Sequence, residues 1–202
     1  MFIHLDLDCF FVSAHRTIDD SLFHIPVAVG GRSNLNIFSS KKEIRKISEN
    51  SGAFVSTILT NEGQKTFKEY FVDENGKIRG IITTSSYEAR AFGVKTAMSV
   101  NEALTLCPHL KMLPPNYPLY HELSTKLKEL LIKEIPLVEQ FSIDEFFGDV
   151  SGYIDESEVV AFAYYLKKKI YDELKLPISI GIANTKYLSK LITEYAKPDG
   201  VK

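Results

Sequence analysis

A buried strand has no cheap place for an unpaired carboxylate, and this chain sets carboxylates in two short apolar runs. The first run is Ile3-His4-Leu5-Asp6-Leu7-Asp8; the second is Phe141-Ser142-Ile143-Asp144-Glu145. No Lys or Arg stands close to either run in sequence, so any countercharge must come from elsewhere in the fold or from a bound cation. Two carboxylate-bearing strands lying side by side suit a divalent metal, because hard cations such as Mg²⁺ take oxygen ligands and leave room for water and phosphate. The plain alternative is that each pair is a solvated strand end or a helix cap. In the first run Ile3, Leu5 and Leu7 fall on one face and His4, Asp6 and Asp8 on the other, the pattern of a strand with one buried side. The neighbours Asp144 and Glu145 face opposite sides of an ideal strand, so both serve one site only where the chain bends or turns.

The same pattern reading carries through the chain. Cys9 to about Thr17 is predicted as a short helix, and Pro26-Val27-Ala28-Val29 before Gly30-Gly31 as a strand ending in a turn. Lys41, Lys42, Arg45 and Lys46 interleaved with Ile44 and Ile47 predict a basic amphipathic helix, read as a solvated face rather than a nucleic-acid contact. Asn75-Gly76 predicts a hairpin turn, Gly80 to Thr84 a strand, and Ser86 the cap of a helix carrying Arg90. A helix over Ser99 to Leu106 and a strand over Lys111 to Leu113 follow. Leu119, Leu123, Leu127, Leu130 and Leu131 recur at helical spacing, as do Val159, Ala163, Leu166, Ile170 and Leu174. Leu137 to Phe147 is predicted as the strand region holding the second acidic pair. A strand at Ile178 to Ile182 and a helix through Leu188, Leu191, Ile192 and Tyr195 complete the series.

Composition narrows the class. With 202 residues, 45% of them hydrophobic, the chain can bury a core as one or two domains. No apolar run is long enough to span a membrane. Cys9 and Cys107 form neither a metal-ligand spacing nor a disulfide framework, and a cytoplasmic setting is the expectation. The five histidines show no ligand spacing. The net charge is −2, so any nucleic-acid surface must be local or supplied elsewhere.

Four runs, in this order, resemble the signatures of Y-family translesion DNA polymerases, and most closely those of the DNA polymerase IV branch. They are Ile3 to Phe11, Tyr87-Glu88-Ala89-Arg90-Ala91-Phe92-Gly93-Val94, Ser142-Ile143-Asp144-Glu145, and Ala196-Lys197-Pro198-Asp199-Gly200. The resemblance covers most of the chain outside residues 32–79, which depart from the family's short loop. It implies an α+β fold: a ferredoxin-like palm, with helices on one face of its sheet, and a small inserted fingers domain. The palm is expected at 1–22 and 95–202 and the fingers at 23–94. The thumb and little finger that hold most of the DNA in such enzymes are expected to be missing from these 202 residues.

By the same resemblance, Asp6 and Asp144 would bridge two Mg²⁺ ions, Glu145 would ligate the ion that activates a primer hydroxyl, and the Leu7 carbonyl would ligate the nucleotide-side ion. Asp8 matches an acidic position that is not a direct ligand. Two-metal phosphoryl transfer asks the protein mainly for carboxylates that hold cations about 4 Å apart. Triphosphate charge would be met by Tyr87, Arg90 and Lys197, with Thr84 adding a hydroxyl. Arg offers a forked donor set suited to phosphate. Backbone amides of Cys9, Phe10 and Phe11 lie where the first strand turns into a helix, a place suited to anions. Phe11 resembles the family's steric gate, an aromatic ring under the incoming sugar, against the plain reading of a core Phe. The implied partners are primer–template DNA, deoxynucleoside triphosphates and, through regions beyond these residues, a sliding clamp.

Two other classes compete. A nucleotide cyclase uses the same two-metal logic on a palm, but the chain has no Gly-Gly-Asp-Glu-Phe hairpin, and the Tyr-Glu-Ala-Arg and Ala-Lys-Pro-Asp-Gly runs favour the polymerase. A non-catalytic polymerase-like scaffold has no need of Asp6, Asp144 and Glu145. Lys186 and Lys190, four apart on the last helix, read as a solvated face near DNA phosphates.

Overall fold

The computed structural model describes residues 1–32 and 64–202. The predicted basic helix at 41–47 lies outside the described residues. Strand β1 (Phe2–Leu7) sits inside a four-stranded antiparallel sheet ordered β5-β6-β1-β7. Its partners are β5 (Leu137–Gln140), β6 (Glu145–Asp149) and β7 (Ile178–Ala183). The alternation in β1 decides its orientation. Ile3, Leu5 and Leu7 are buried against Leu127 and Leu131 of α5 (Tyr117–Glu134) and Leu166 and Ile170 of α6 (Val159–Leu174). The leucines spaced along α5 are what make that helix one wall of the core.

The opposite face is not left to solvent. Helix α7 (Lys186–Ala196) packs there, across β7 and β1, which corrects the expectation that all helices lie on one side. Gly181 is the reason it fits. It pairs with His4 in the sheet, and a Cβ at this position would lie 2.2 Å from the Ser189 carbonyl oxygen of α7.

In chain order the elements β1, α5, β5, β6, α6 and β7 give the split βαβ arrangement of a ferredoxin-like fold. A second unit is inserted between β1 and α5, after the short helix α1 (Phe10–Arg16). Its three-stranded sheet runs β3-β2-β4, from β2 (Val27–Gly31), β3 (Ile81–Ser85) and β4 (Lys111–Leu113). Helices α2 (Phe67–Phe71), α3 (Tyr87–Ala91) and α4 (Val100–Leu106) begin at Thr66, Ser86 and Ser99, each of whose hydroxyls accepts an amide of the first turn. Phe71, Ile82, Val100, Cys107 and Met112 form the core of this unit. The Asn75-Gly76 turn is present. Asp73 N donates to Lys77 O at 2.9 Å, and Val72 bridges Ile78. No described helix is long and apolar enough to cross a membrane.

Candidate active site at the β1–β6 edge

The region from 137 to 147 holds two strands joined by a tight turn, not the single stretch the sequence suggested, and the turn settles the geometry of the acidic pair. Amides of Phe141 and Ser142 donate to the Glu145 carbonyl at 3.0 and 3.2 Å. The Ser142 hydroxyl donates to Oδ1 of Asp144 at 2.6 Å. Asp144 therefore sits in the turn, off the strand alternation, while Glu145 is the first residue of β6. The Leu7 amide donates to the Asp144 carbonyl at 3.1 Å, which ties the turn to the end of β1. Asp6 pairs in register with Glu145, and directly opposed residues on one face have Cβ atoms about 5 Å apart. Asp6, Asp144 and Glu145 are thus gathered at one end of the β1–β6 pair.

The countercharges that neither run supplies come from α7 and the segment after it. Lys197 Nζ donates to Asp6 Oδ2 at 2.8 Å and to Glu194 Oε1 at 3.0 Å. Lys190 pairs with Glu145. Burial pushes the Asp6 carboxyl up to about 7, against the pull of Lys197 and with the help of the Asp144 and Glu145 charges. Burial likewise raises Asp144, and the Ser142 hydrogen bond offsets only part of this. Burial opposes the charge on Lys197, but Asp6 and Glu194 outweigh it and hold the ammonium above its ordinary range.

Asp8 has a different task. Its buried carboxylate accepts from both the Ser179 hydroxyl (3.0 and 2.9 Å) and the Asp199 amide at 2.7 Å, and from the Tyr87 hydroxyl at 3.1 Å. It thereby joins β1, β7, the segment after α7 and helix α3. Tyr87 is held at the site by this bond, and the Arg90 guanidinium lies over its ring at 4.8 Å, with Nε donating to Ser85 O. Thr84 lies on β3 opposite Val29, and among the described residues no hydrogen bond joins it to Tyr87, Arg90 or Lys197. Cys9 adopts a left-handed conformation (φ 47°) as β1 turns into α1. The Phe10 side chain is in the palm core, so only its backbone faces the turn. Phe11 is half-buried and stacked on Tyr120, with centroids 4.2 Å apart and planes 8° apart.

His4, Lys190, Ser142, Ser179 and Tyr120 belong to the site's framework, and sequence reasoning assigned none of them to it. By its spacing Lys190 reads as a solvated face, yet it pairs with Glu145. Two uncompensated acidic runs signal a need for cations, but nothing local to α7 marks its lysine as the one that answers it. His4 Nδ1 hydrogen-bonds Thr193 Oγ1 at 2.8 Å, while Nε2 has no hydrogen-bond partner among the described residues and lies 3.9 Å from Glu145 Oε1. Burial pulls its pKa down to about 4, so the ring is neutral.

Among the described residues no three His, Cys, Asp or Glu side chains are drawn together closely enough to hold a metal as they stand, because Asp6 and Glu145 are turned to lysines. The chemistry of the donor set nonetheless fits a hard divalent cation. It is all oxygen, and the desolvated Asp6 and Asp144 carboxyls resist ionisation in a way that a nearby cation would relieve.

A ferredoxin-like sheet with an inserted three-stranded unit, and with Asp6, Asp144 and Glu145 at one end of its β1–β6 pair, is the architecture of a palm with inserted fingers. The chain belongs to the impB/mucB/samB family, whose pattern it matches over residues 5–194. It is 33% identical over 199 residues to DNA polymerase IV of Photorhabdus laumondii, an alignment covering 98% of this chain and 44% of that protein. It is 44% identical over 123 residues to DNA polymerase IV 1 of Halalkalibacterium halodurans, covering 61% of this chain and 30% of that one. Among solved structures, the insertion ternary complex of Dbh DNA polymerase superposes with a TM-score of 0.77 at 24% identity, over 99% of this chain and 47% of that one. DinB from Sulfolobus solfataricus gives a TM-score of 0.74 at 23% identity, again over 99% of this chain and 47% of that one. The chain thus spans about half the length of the proteins it matches. The Y-family likeness drawn from four short runs, and the palm-with-fingers fold it implied, are borne out.

Proposed function

We propose that this chain forms the palm and fingers of a template-directed DNA polymerase of the translesion type, adding deoxynucleotides to a primer 3′ end. The observation that supports this best is the gathering of Asp6, Asp144 and Glu145 at the β1–β6 edge, in a family whose named relatives are DNA polymerases. Asp6, Asp144, Glu145 and the Leu7 carbonyl are the groups proposed to hold divalent cations, Mg²⁺ by the hardness of an all-oxygen set. Bound there, such ions would stabilise the attacking and leaving oxygens of phosphoryl transfer.

The chain's own residues supply the rest. Tyr87 and Arg90, one turn apart on α3, are proposed to meet a triphosphate with the forked donor set of Arg90 and with the Tyr87 hydroxyl, whose single hydrogen bond turns from Asp8 to a phosphate oxygen when nucleotide binds. Lys197 neutralises Asp6 in the absence of a cation and is proposed to pass to phosphate when cation and nucleotide arrive together. Phe11 is proposed to close the sugar side. The palm is assigned to 1–22 and 95–202 and the fingers to 23–94, though the packing of α4 and β4 on the three-stranded sheet favours a fingers border nearer residue 113. Primer–template DNA and deoxynucleoside triphosphates are the proposed partners.

The test is primer extension with Mg²⁺ by the protein as its gene encodes it. Asp6→Asn, Asp144→Asn and Glu145→Gln should each lower the rate by about a thousandfold, the scale on which a principal electrostatic stabiliser acts. Rates unchanged by all three would end the reading.

A further inference from the structure

We propose that Tyr120 and His15 fix the height and tilt of the Phe11 ring, and that this pair thereby sets how strictly the site separates deoxyribonucleotides from ribonucleotides. The inference rests on the polymerase reading and on Phe11 facing the sugar.

A gate needs a rigid backing, and α1 alone does not supply one. The helix is seven residues long, it starts from a left-handed Cys9, and no side chain caps its first turn. Phe11 is only half-buried, so helix geometry leaves its ring free to change rotamer. The ring is held instead from α5. Tyr120 lies flat beneath it at 4.2 Å, and Tyr117 meets its edge at 6.4 Å and 84°.

Tyr120 is itself pinned. It is fully buried, and its hydroxyl hydrogen-bonds His15 Nε2 at 2.9 Å. His15 lies one turn after Phe11 on the same face of α1, so a single α5 side chain supports one residue with its ring and the other with its hydroxyl. The backbone of Pro114, which has only a carbonyl to offer, also acts on the imidazole. The direction of the Nε2–Tyr120 hydroxyl bond follows the ring tautomer, and in either direction the bond holds the tyrosine in place. Burial keeps the ring neutral. The result is a chain of contacts from His15 through Tyr120 to the face of Phe11.

A hydrophobic pocket by itself rejects one added hydroxyl by only about a hundredfold. Stricter rejection needs a ring that does not yield when a 2′-oxygen presses on it. Removing the backing should let Phe11 sink toward α5 without changing any group at the carboxylates.

The experiment compares deoxyribonucleotide and ribonucleotide incorporation efficiencies in the full-length protein. Phe11→Ala should collapse the ratio. Tyr120→Leu should lower it by about tenfold, a partial loss of the gate, and Tyr120→Phe, which keeps the stack, should restore most of it. His15→Gln, which frees the tyrosine hydroxyl, should lower it by about threefold, less than Tyr120→Leu. A purely structural role would slow both nucleotides alike, so a ratio unchanged in Tyr120→Leu overturns the proposal. If that variant does not fold, an unchanged ratio in both His15→Gln and Tyr120→Phe overturns it. A ratio unaffected by Phe11→Ala instead shows that Phe11 is not the gate, and no extension by the unaltered protein removes the polymerase reading beneath both.

Discussion

The Lys197 ammonium donates to Asp6 across 2.8 Å, joining residues 191 positions apart in the chain. Without a divalent cation, this lysine is the nearest compensation for a carboxylate that burial already pushes up to about 7. Breaking a largely buried pair by removing one partner leaves the other charge stranded, which is worse than removing both. Lys197→Met should therefore destabilise the protein by about 3 kcal/mol at pH 8, where Asp6 is ionised, and adding Asp6→Asn should recover most of that loss. Urea unfolding of the four proteins in a double-mutant cycle measures it. Strict additivity would mean that the contact contributes nothing.

A second prediction follows from Asp8, the acidic residue that the sequence set apart from the metal ligands. Its carboxylate satisfies the Ser179 and Tyr87 hydroxyls and the Asp199 amide. Replacing it orphans three donors around a buried position. Asp8→Ala should cost about 3 kcal/mol, while Ser179→Ala, which removes one donor and leaves the acceptor two others, should cost about 1 kcal/mol. Equal losses in the two variants, read by chemical denaturation, would show that the shared acceptor is not what holds these elements together.

The difference between what was legible in the sequence and what was not is the distance over which the information acts. Ile3, Leu5 and Leu7 against His4 and Asp6 showed the sheet face, and the α5 leucines showed the helix that covers it, because both patterns are local and periodic. The Lys111–Leu113 strand came out with its bounds intact. The turn at Asp144 did not, since it depends on the Ser142 hydroxyl and on an amide from β1. Asp6, Asp144 and Glu145 were legible as chemistry because carboxylates in apolar runs are locally anomalous. Lys190 and Lys197 were not legible as their partners, because nothing within α7 records what it packs against. The position of α7 on the second face was hidden for the same reason, its only mark being the missing side chain of Gly181.

Acid should weaken the fold through its buried imidazoles. His15 has a folded pKa near 4, below its unfolded value of about 6.5, as does His4. Between those values the unfolded chain binds the extra proton, so stability is complete above pH 6.5 and declines as pH falls toward 4. Asp6 runs the other way, its raised pKa favouring the folded state as pH falls from 7, so the informative quantity is a difference between proteins. Relative to the unaltered chain, His15→Gln should lose about 2 kcal/mol less on going from pH 7 to pH 5. Parallel stability curves for the two proteins over that range would contradict a buried, neutral His15.

The last prediction concerns Gly181, which lets α7 reach the sheet. A Cβ there would meet the Ser189 carbonyl at 2.2 Å, the Thr193 hydroxyl at 2.5 Å and the Thr193 amide at 2.6 Å. Two of these three atoms belong to the helix backbone, so no rotamer change relieves them and α7 must move as a body. The helix carries Lys190, and Lys197 follows directly after it, so the countercharges of Glu145 and Asp6 move with it. Gly181→Ala should cost about 3 kcal/mol, at the upper end for one added methyl group, because the obstacle is main chain rather than a flexible side chain. Trimming the one side-chain obstacle with Thr193→Ala should not restore stability, since the carbonyl and amide remain and the His4 hydrogen bond is lost as well. Denaturant midpoints of the single and double variants decide it. A Gly181→Ala protein within about 0.5 kcal/mol of the original, the range of neutral surface changes, would mean that α7 does not pack this closely on β7.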